Sequence, residues 1–141
     1  SKIKICVNRI LISLLELFEK ESVSFDEKLI SSKRSVNIFL AELDSLYAQI
    51  WTLENMAEYC GLGVTQFSKY CQEITNRSPM KFLNDIRLEK ACQQLKQSAD
   101  KNIIDIAFDC GFSSNQYFTR VFKERYGMSP QRFRVSSSIK K

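Results

Sequence analysis

The sequence contains no histidine, and its five cysteines, at positions 6, 60, 71, 92 and 110, form no CxxC pair. Zinc centres built from closely spaced Cys and His ligands have no template here, and the commonest general base is missing. No nucleophile stands beside an evident activating partner, so the chain is expected not to be an enzyme and to need no metal or cofactor. Long hydrophobic runs are also lacking. The nearest candidate, "KICVNRILISLLELF", is interrupted by Lys4, Asn8 and Arg9. It falls short of the roughly eighteen apolar residues that span a bilayer, and it lacks the small-residue cleavage site of a signal peptide. The expectation is a soluble, cytoplasmic protein whose cysteines stay reduced as small apolar core residues. Proline and glycine are scarce too, at two and four residues. With abundant Leu, Lys, Glu and Gln, that scarcity favours helix over sheet.

What is present is a compact apolar fraction and a repeated phrase. Hydrophobic side chains make up 44% of 141 residues, enough for one or two units with real cores and too many for disorder. "CGLGVTQFSKYCQEITNRSPMKF" runs from Cys60 to Phe82, and "CGFSSNQYFTRVFKERYGMSPQRF" runs from Cys110 to Phe133. Ala57, Cys60 and Gly61 correspond to Ala107, Cys110 and Gly111 at a spacing of fifty. Phe67, Glu73, Ser78, Pro79 and Phe82 correspond to Phe118, Glu124, Ser129, Pro130 and Phe133 at fifty-one, so the second turn holds one extra residue. Two copies are too few for a solenoid and imply a pair of small modules.

Apolar spacing and capping residues predict the elements. A first helix is expected over residues 3–20, followed by a connection in "ESVSFDEKLISSKR", with serines 31, 32 and 35 capping another helix through about Ile50. Thr52 caps "LENMAEYC", Gly61 ends it in a left-handed conformation, and a second helix from Val64 to Thr75 turns Phe67, Tyr70, Cys71 and Ile74 inward. Asn102, Gly111 and Gly127 punctuate the second copy in the same way, with Ser113 and Gln116 expected to form a capping box. Each Ser-Pro starts a helix, with serine as cap and proline in the first turn. The one from Pro79 to about Ser98 spans about 28 Å and joins the modules. The fold class is thus all-α: two helix-turn-helix subdomains, 52–76 and 102–127, joined by a long linker helix at 79–98, with an additional N-terminal helical segment at 1–34 and a tail at 135–141.

Charge is uneven. Residues 1–50 carry seven basic and seven acidic side chains, so the net charge of +5 resides in the remainder. Arg120, Lys123, Arg125, Arg132, Arg134, Lys140 and Lys141 face only Glu124 in the last stretch. Beside a helix-turn-helix pattern these charges read as an electrostatic footprint for nucleic acid. The polar faces of the two longer helices, Val64, Thr65, Ser68, Lys69 and Gln72 in the first and Asn115, Gln116, Thr119, Arg120 and Lys123 in the second, are the expected DNA-binding residues. Short side chains permit close approach, Gln suits adenine edges, and Lys and Arg suit guanine or phosphate. Arg125, Arg132 and Arg134 are expected to touch phosphate or nothing. A helical protein-interaction module without specific DNA binding is the alternative reading, although it leaves the basic second module unexplained.

From about Ile50 to Arg134 the chain resembles the DNA-binding domain of the AraC/XylS family of bacterial transcription regulators. The residues that carry the resemblance are "AEYCGL" from Ala57, "FSKYCQEITNRSPMKFL" from Phe67, "RLEKACQQL" from Arg87 and, above all, "IAFDCGFSSNQYFTRVFKERYGMSPQRFR" from Ile106 to Arg134. The resemblance implies seven helices in two subdomains joined by a linker helix, with recognition helices placed in adjacent major-groove segments of double-stranded DNA. It also implies that residues 35–134 form the DNA-binding domain and that residues 3–20 look like the last helix of a preceding effector or dimerisation domain. A homodimer through that segment, or through a domain beyond it, and RNA polymerase are the protein partners that go with it. Cys71 stands where the family more often has phenylalanine, and Asn76 where it often has glycine.

Overall fold

The computed structural model describes residues 2–139. Seven helices follow one another: α1 (Lys2–Leu46), α2 (Leu53–Tyr59), α3 (Val64–Thr75), α4 (Pro79–Gln97), α5 (Ile103–Asp109), α6 (Asn115–Tyr126) and α7 (Pro130–Ile139). No strand occurs among the described residues, and none of their helices is long and apolar enough to cross a membrane. Helices α2 and α3 fall within residues 52–76, α4 within 79–98, and α5 and α6 within 102–127.

The N-terminal part differs from expectation. Residues 21–34, expected as a connection, continue a single helix of 45 residues. No Gly or Pro interrupts positions 1–46, and the serines that suggested a break bond back into the helix instead. Ser22 Oγ donates to the Glu19 carbonyl at 2.9 Å and Ser35 Oγ to the Ser31 carbonyl at 3.1 Å, so neither competes with the backbone ladder. The helix also ends at Leu46, short of the expected Ile50, which lies 89% exposed. Only its last third finds a partner. Val36, Phe39, Leu40 and Leu43 are buried, whereas the apolar residues from Ile3 to Ile30 remain largely exposed, Cys6 with them.

Two cores follow from the repeat. In the first, those α1 residues meet Met56, Ala57, Phe67, Tyr70, Cys71 and Leu83. In the second, Leu88, Ala91 and Leu95 meet Ile106, Ala107, Cys110, Phe112, Phe118 and Phe122. Helix α4 therefore gives its first turns to one core and its later turns to the other. Local geometry repeats with the sequence. Leu62 N–H donates to the Ala57 carbonyl and Phe112 N–H to the Ala107 carbonyl, both at 3.0 Å, closing each helix around a left-handed glycine. Asn76 takes φ 56° at the end of α3, the position held by Gly127 after α6. Asparagine tolerates this region better than most residues.

Within the two modules, capping departs from prediction in two places. Ser114, not Ser113, caps α6, its Oγ accepting from Tyr117 N–H at 3.2 Å. The extra residue in the second turn moves the cap one place along, matching Gly63 of the first copy at the spacing of fifty-one. Ser78 makes no side-chain cap bond, although Ser129 Oγ accepts from Arg132 N–H at 3.3 Å. The other caps form as read: Thr52 and Asn55 make a reciprocal capping box, and Asn102 accepts from Ile104 N–H.

Candidate nucleic-acid interface

Helix α3 buries Phe67, Tyr70 and Cys71 on one side, which leaves Thr65, Lys69 and Gln72 exposed on the other, with Ser68 half-buried. Val64 lies at the edge of that polar face. It is half-buried against the first core. In α6 the burial of Phe118 and Phe122 turns Gln116, Arg120 and Lys123 to solvent, while Asn115 and Thr119 are half-buried. Asn115 Oδ1 is buried and has no hydrogen-bond partner. Arg120 extends over the Tyr117 ring, 5.2 Å from its centroid, and lies 3.5 Å from Glu124. This pair is solvent-exposed, so water and salt weaken it and the guanidinium is available to another acceptor.

The rest of the basic stretch behaves differently. Arg125, expected at phosphate or nowhere, donates to Asp85 at 2.9 Å and lies 3.7 Å from Glu89. Burial pulls its pKa down, but the Tyr126 hydroxyl, Asp85 and Glu89 together hold it above its ordinary value. Arg134 donates to the Lys101 carbonyl at 2.6 Å. Both arginines are committed to the protein itself. Arg132 is exposed, and Lys140 and Lys141 lie outside the described residues.

Between the two modules the linker helix carries polar side chains to which sequence reasoning assigned no role. Arg87 is 6% exposed. Its Nε donates to the Tyr47 carbonyl and its Nη2 to the Gln49 carbonyl, each at 2.8 Å, and its guanidinium faces the Phe112 ring. Burial lowers its pKa from the ordinary arginine value. Arg87 thus ties the turn after α1 to the turn of the second module. One turn away, Asn84 Nδ2 donates to the Tyr117 hydroxyl of α6 at 2.7 Å. The buried Asp85 receives Arg125 on Oδ1, and Arg77 Nη1 lies 2.7 Å from its Oδ2. That second contact is an ion pair without hydrogen-bond alignment. The only sequence signal for this cluster is the polar run "NDIR" inside an otherwise half-apolar helix.

The thiols are not part of any site chemistry visible here. Burial, with Asp109 second, pushes Cys110 up to about 11, and burial with Glu42 second does the same for Cys60. Both stay protonated near neutral pH, which removes the nucleophilic thiolate.

A family model described as a helix-turn-helix domain matches residues 56–136. The chain is 37% identical over 82 residues to the HTH-type transcriptional activator RhaS of Mannheimia succiniciproducens, a match covering 58% of this chain and 30% of the relative. It is 31% identical over 121 residues to RhaS of Klebsiella pneumoniae, covering 86% of this chain and 42% of the relative. The chain therefore spans less than half the length of these relatives. Among solved structures, the C-terminal domain of AraT, a response regulator from Geobacillus stearothermophilus, superposes with a TM-score of 0.68 at 27% identity, covering 72% of this chain and 84% of that one. The DNA-binding domain of AdpA, solved with a target DNA, superposes with a TM-score of 0.72 at 21% identity, covering 75% and 95%. The second likeness speaks to the fold.

Proposed function

This chain belongs to the AraC-type helix-turn-helix family of transcriptional regulators, and from that premise we propose that it binds double-stranded DNA sequence-specifically through both modules at once. Helices α3 and α6 each enter a major-groove segment on one face of the duplex. The observation that carries this reading is the doubled helix-turn-helix on a single linker helix of 19 residues, about 28 Å long. Symmetric dimers span successive grooves, some 34–36 Å or so apart, with two chains; here one chain presents both helices. The shortfall is met by tilt of the modules or by a DNA bend costing on the order of 1–6 kcal/mol. Thr65, Ser68, Lys69 and Gln72 read or position the DNA from α3, and Gln116, Arg120 and Lys123 do so from α6. Asn115 and Thr119 stand at the edge of that face, and Val64 reaches it only through its half-exposed side.

The protein partners follow as part of the same proposal. The relatives named as activators support RNA polymerase as a partner, and the exposed apolar stripe of α1 supports self-association through the N-terminal segment. The test uses the tightest duplex selected from a random pool. Inserting five base pairs between its two contacted segments turns one groove to the opposite face, and affinity should fall to that of a single segment. Unchanged affinity would mean that the modules do not read DNA together. Titration of random duplex DNA separates the alternative: salt-dependent binding supports the regulator, and no binding supports an interaction module.

A further inference from the structure

The C-terminal ends of both recognition helices are tied to one carboxylate. Asp85 lies on α4 and is 6% exposed. Arg77, two residues beyond the end of α3, lies 2.7 Å from its Oδ2, and Arg125, in the last turn of α6, donates to its Oδ1 at 2.9 Å. These are the two modules that must meet DNA in a fixed relation. Helix α4 sets their separation, because its ends belong to different cores, and Arg87 ties the turn after α1 to the second module. A helix does not by itself fix how each module rotates about it, and side chains packed on either core leave that angle to whatever bridges the seam. A buried carboxylate with two guanidinium partners bridges the seam: the Arg125 bond is charge-assisted and directional, and the Arg77 ion pair adds attraction at a site shielded from solvent.

We propose that Asp85 is a positioning residue for DNA recognition: by holding Arg77 and Arg125 it sets the mutual orientation of α3 and α6, and so the spacing and bend of the DNA that both can engage. The proposal rests on the two-segment reading above. Preorganisation of this kind acts on simultaneous binding. It removes the cost of orienting the second module once the first has docked, and it leaves the contacts of each module with its own segment untouched. Arg77 and Arg125 are therefore assigned to orientation and not to phosphate.

The experiment compares three duplexes with the protein and its variants: the selected full site and two shortened sites, each keeping one segment. For D85N, affinity for each single segment should match the parent, while the advantage of the full site over a single segment should fall about tenfold or more, as expected for loss of one charge-assisted contact. The variant should also tolerate changes of one or two base pairs in spacing that the parent rejects. R77Q removes the same tie from a side chain that is 44% exposed, so it keeps the test valid even if D85N fails to fold. It should give the same loss, and the D85N/R77Q pair should lose no more than either alone. A merely structural role would lower full-site and single-segment binding alike. Parental selectivity for the full site in R77Q and in folded D85N would overturn the proposal while sparing the two-segment reading. A parent that shows no full-site advantage would overturn both.

Discussion

Gly61 and Gly111 hold equivalent places in the two copies, yet replacing each with alanine should have different consequences. Both have positive φ, +68° and +93°, so alanine is strained at either position by about 1–2 kcal/mol. A Cβ at Gly61 meets nothing within 4 Å, whereas a Cβ at Gly111 falls 2.8 Å from Arg87 Nε and 2.9 Å from the Tyr47 carbonyl oxygen. These two atoms are bonded to each other at 2.8 Å, so the methyl group must part them. Losing that charge-assisted bond adds about 1.5–3 kcal/mol. Gly61→Ala should then cost about 1–2 kcal/mol and Gly111→Ala about 3–5 kcal/mol. Urea unfolding followed by far-UV circular dichroism gives both numbers. In an Arg87→Ala background, Gly111→Ala should cost less than in the parent, because the Arg87 bond it would part is already gone. It should still cost more than Gly61→Ala, because the Tyr47 carbonyl oxygen remains 2.9 Å from the new Cβ. Equal losses for the two glycine variants, or full additivity with Arg87→Ala, would refute a role for Gly111 in seating Arg87.

Arg120→Ala should cost about 1–3 kcal/mol on the selected site and relax preference at one base pair, with a smaller loss for Lys69→Ala because lysine lacks the planar fork; equal weakening on every sequence would make Arg120 a phosphate contact. Phe122 is fully buried and packed edge-on against Phe118 and Phe133, so Phe122→Ala should destabilise by about 3–5 kcal/mol, and a thermal melt equal to the parent's would place it on the surface. Ser114→Ala should cost about 1 kcal/mol through loss of the α6 cap, while Ser113→Ala should leave the melting temperature unchanged.

The parts of this molecule that were legible in advance are those decided within a turn or two of helix. Apolar spacing placed Phe67 and Phe118 inward and, by subtraction, Lys69 and Arg120 outward. Gly61 and Gly111 announced the turns, because only a residue free to adopt positive φ ends a helix so abruptly. Where prediction failed, a local signal was ambiguous or the deciding partner was distant. The serines of residues 21–35 suit a cap or a back-bonded helix interior equally well, and without Gly or Pro nearby the backbone kept its ladder. Ser113 and Ser114 differ by one place, and only the full register of the repeat selects the second.

The seam between modules was invisible for a stronger reason. Asp85 finds Arg125 forty residues away, and Arg87 finds the Tyr47 carbonyl at the same separation. No periodicity encodes such a meeting. In the sequence Arg125, Arg132 and Arg134 therefore read alike, side chains for phosphate or nothing beside the base-reading Arg120 and Lys123. In the fold the basic stretch divides by reach: α6 turns Arg120 and Lys123 away from the protein, while Arg125 comes back to the linker and Arg134 to Lys101. A buried carboxylate must be paired or it is costly, and Asp85 draws its partners from whichever arginines the two cores bring within range. Charge counted along the chain thus overstates the surface offered to DNA, and one of the side chains it loses, Arg125, is the one assigned to holding the two reading helices in register.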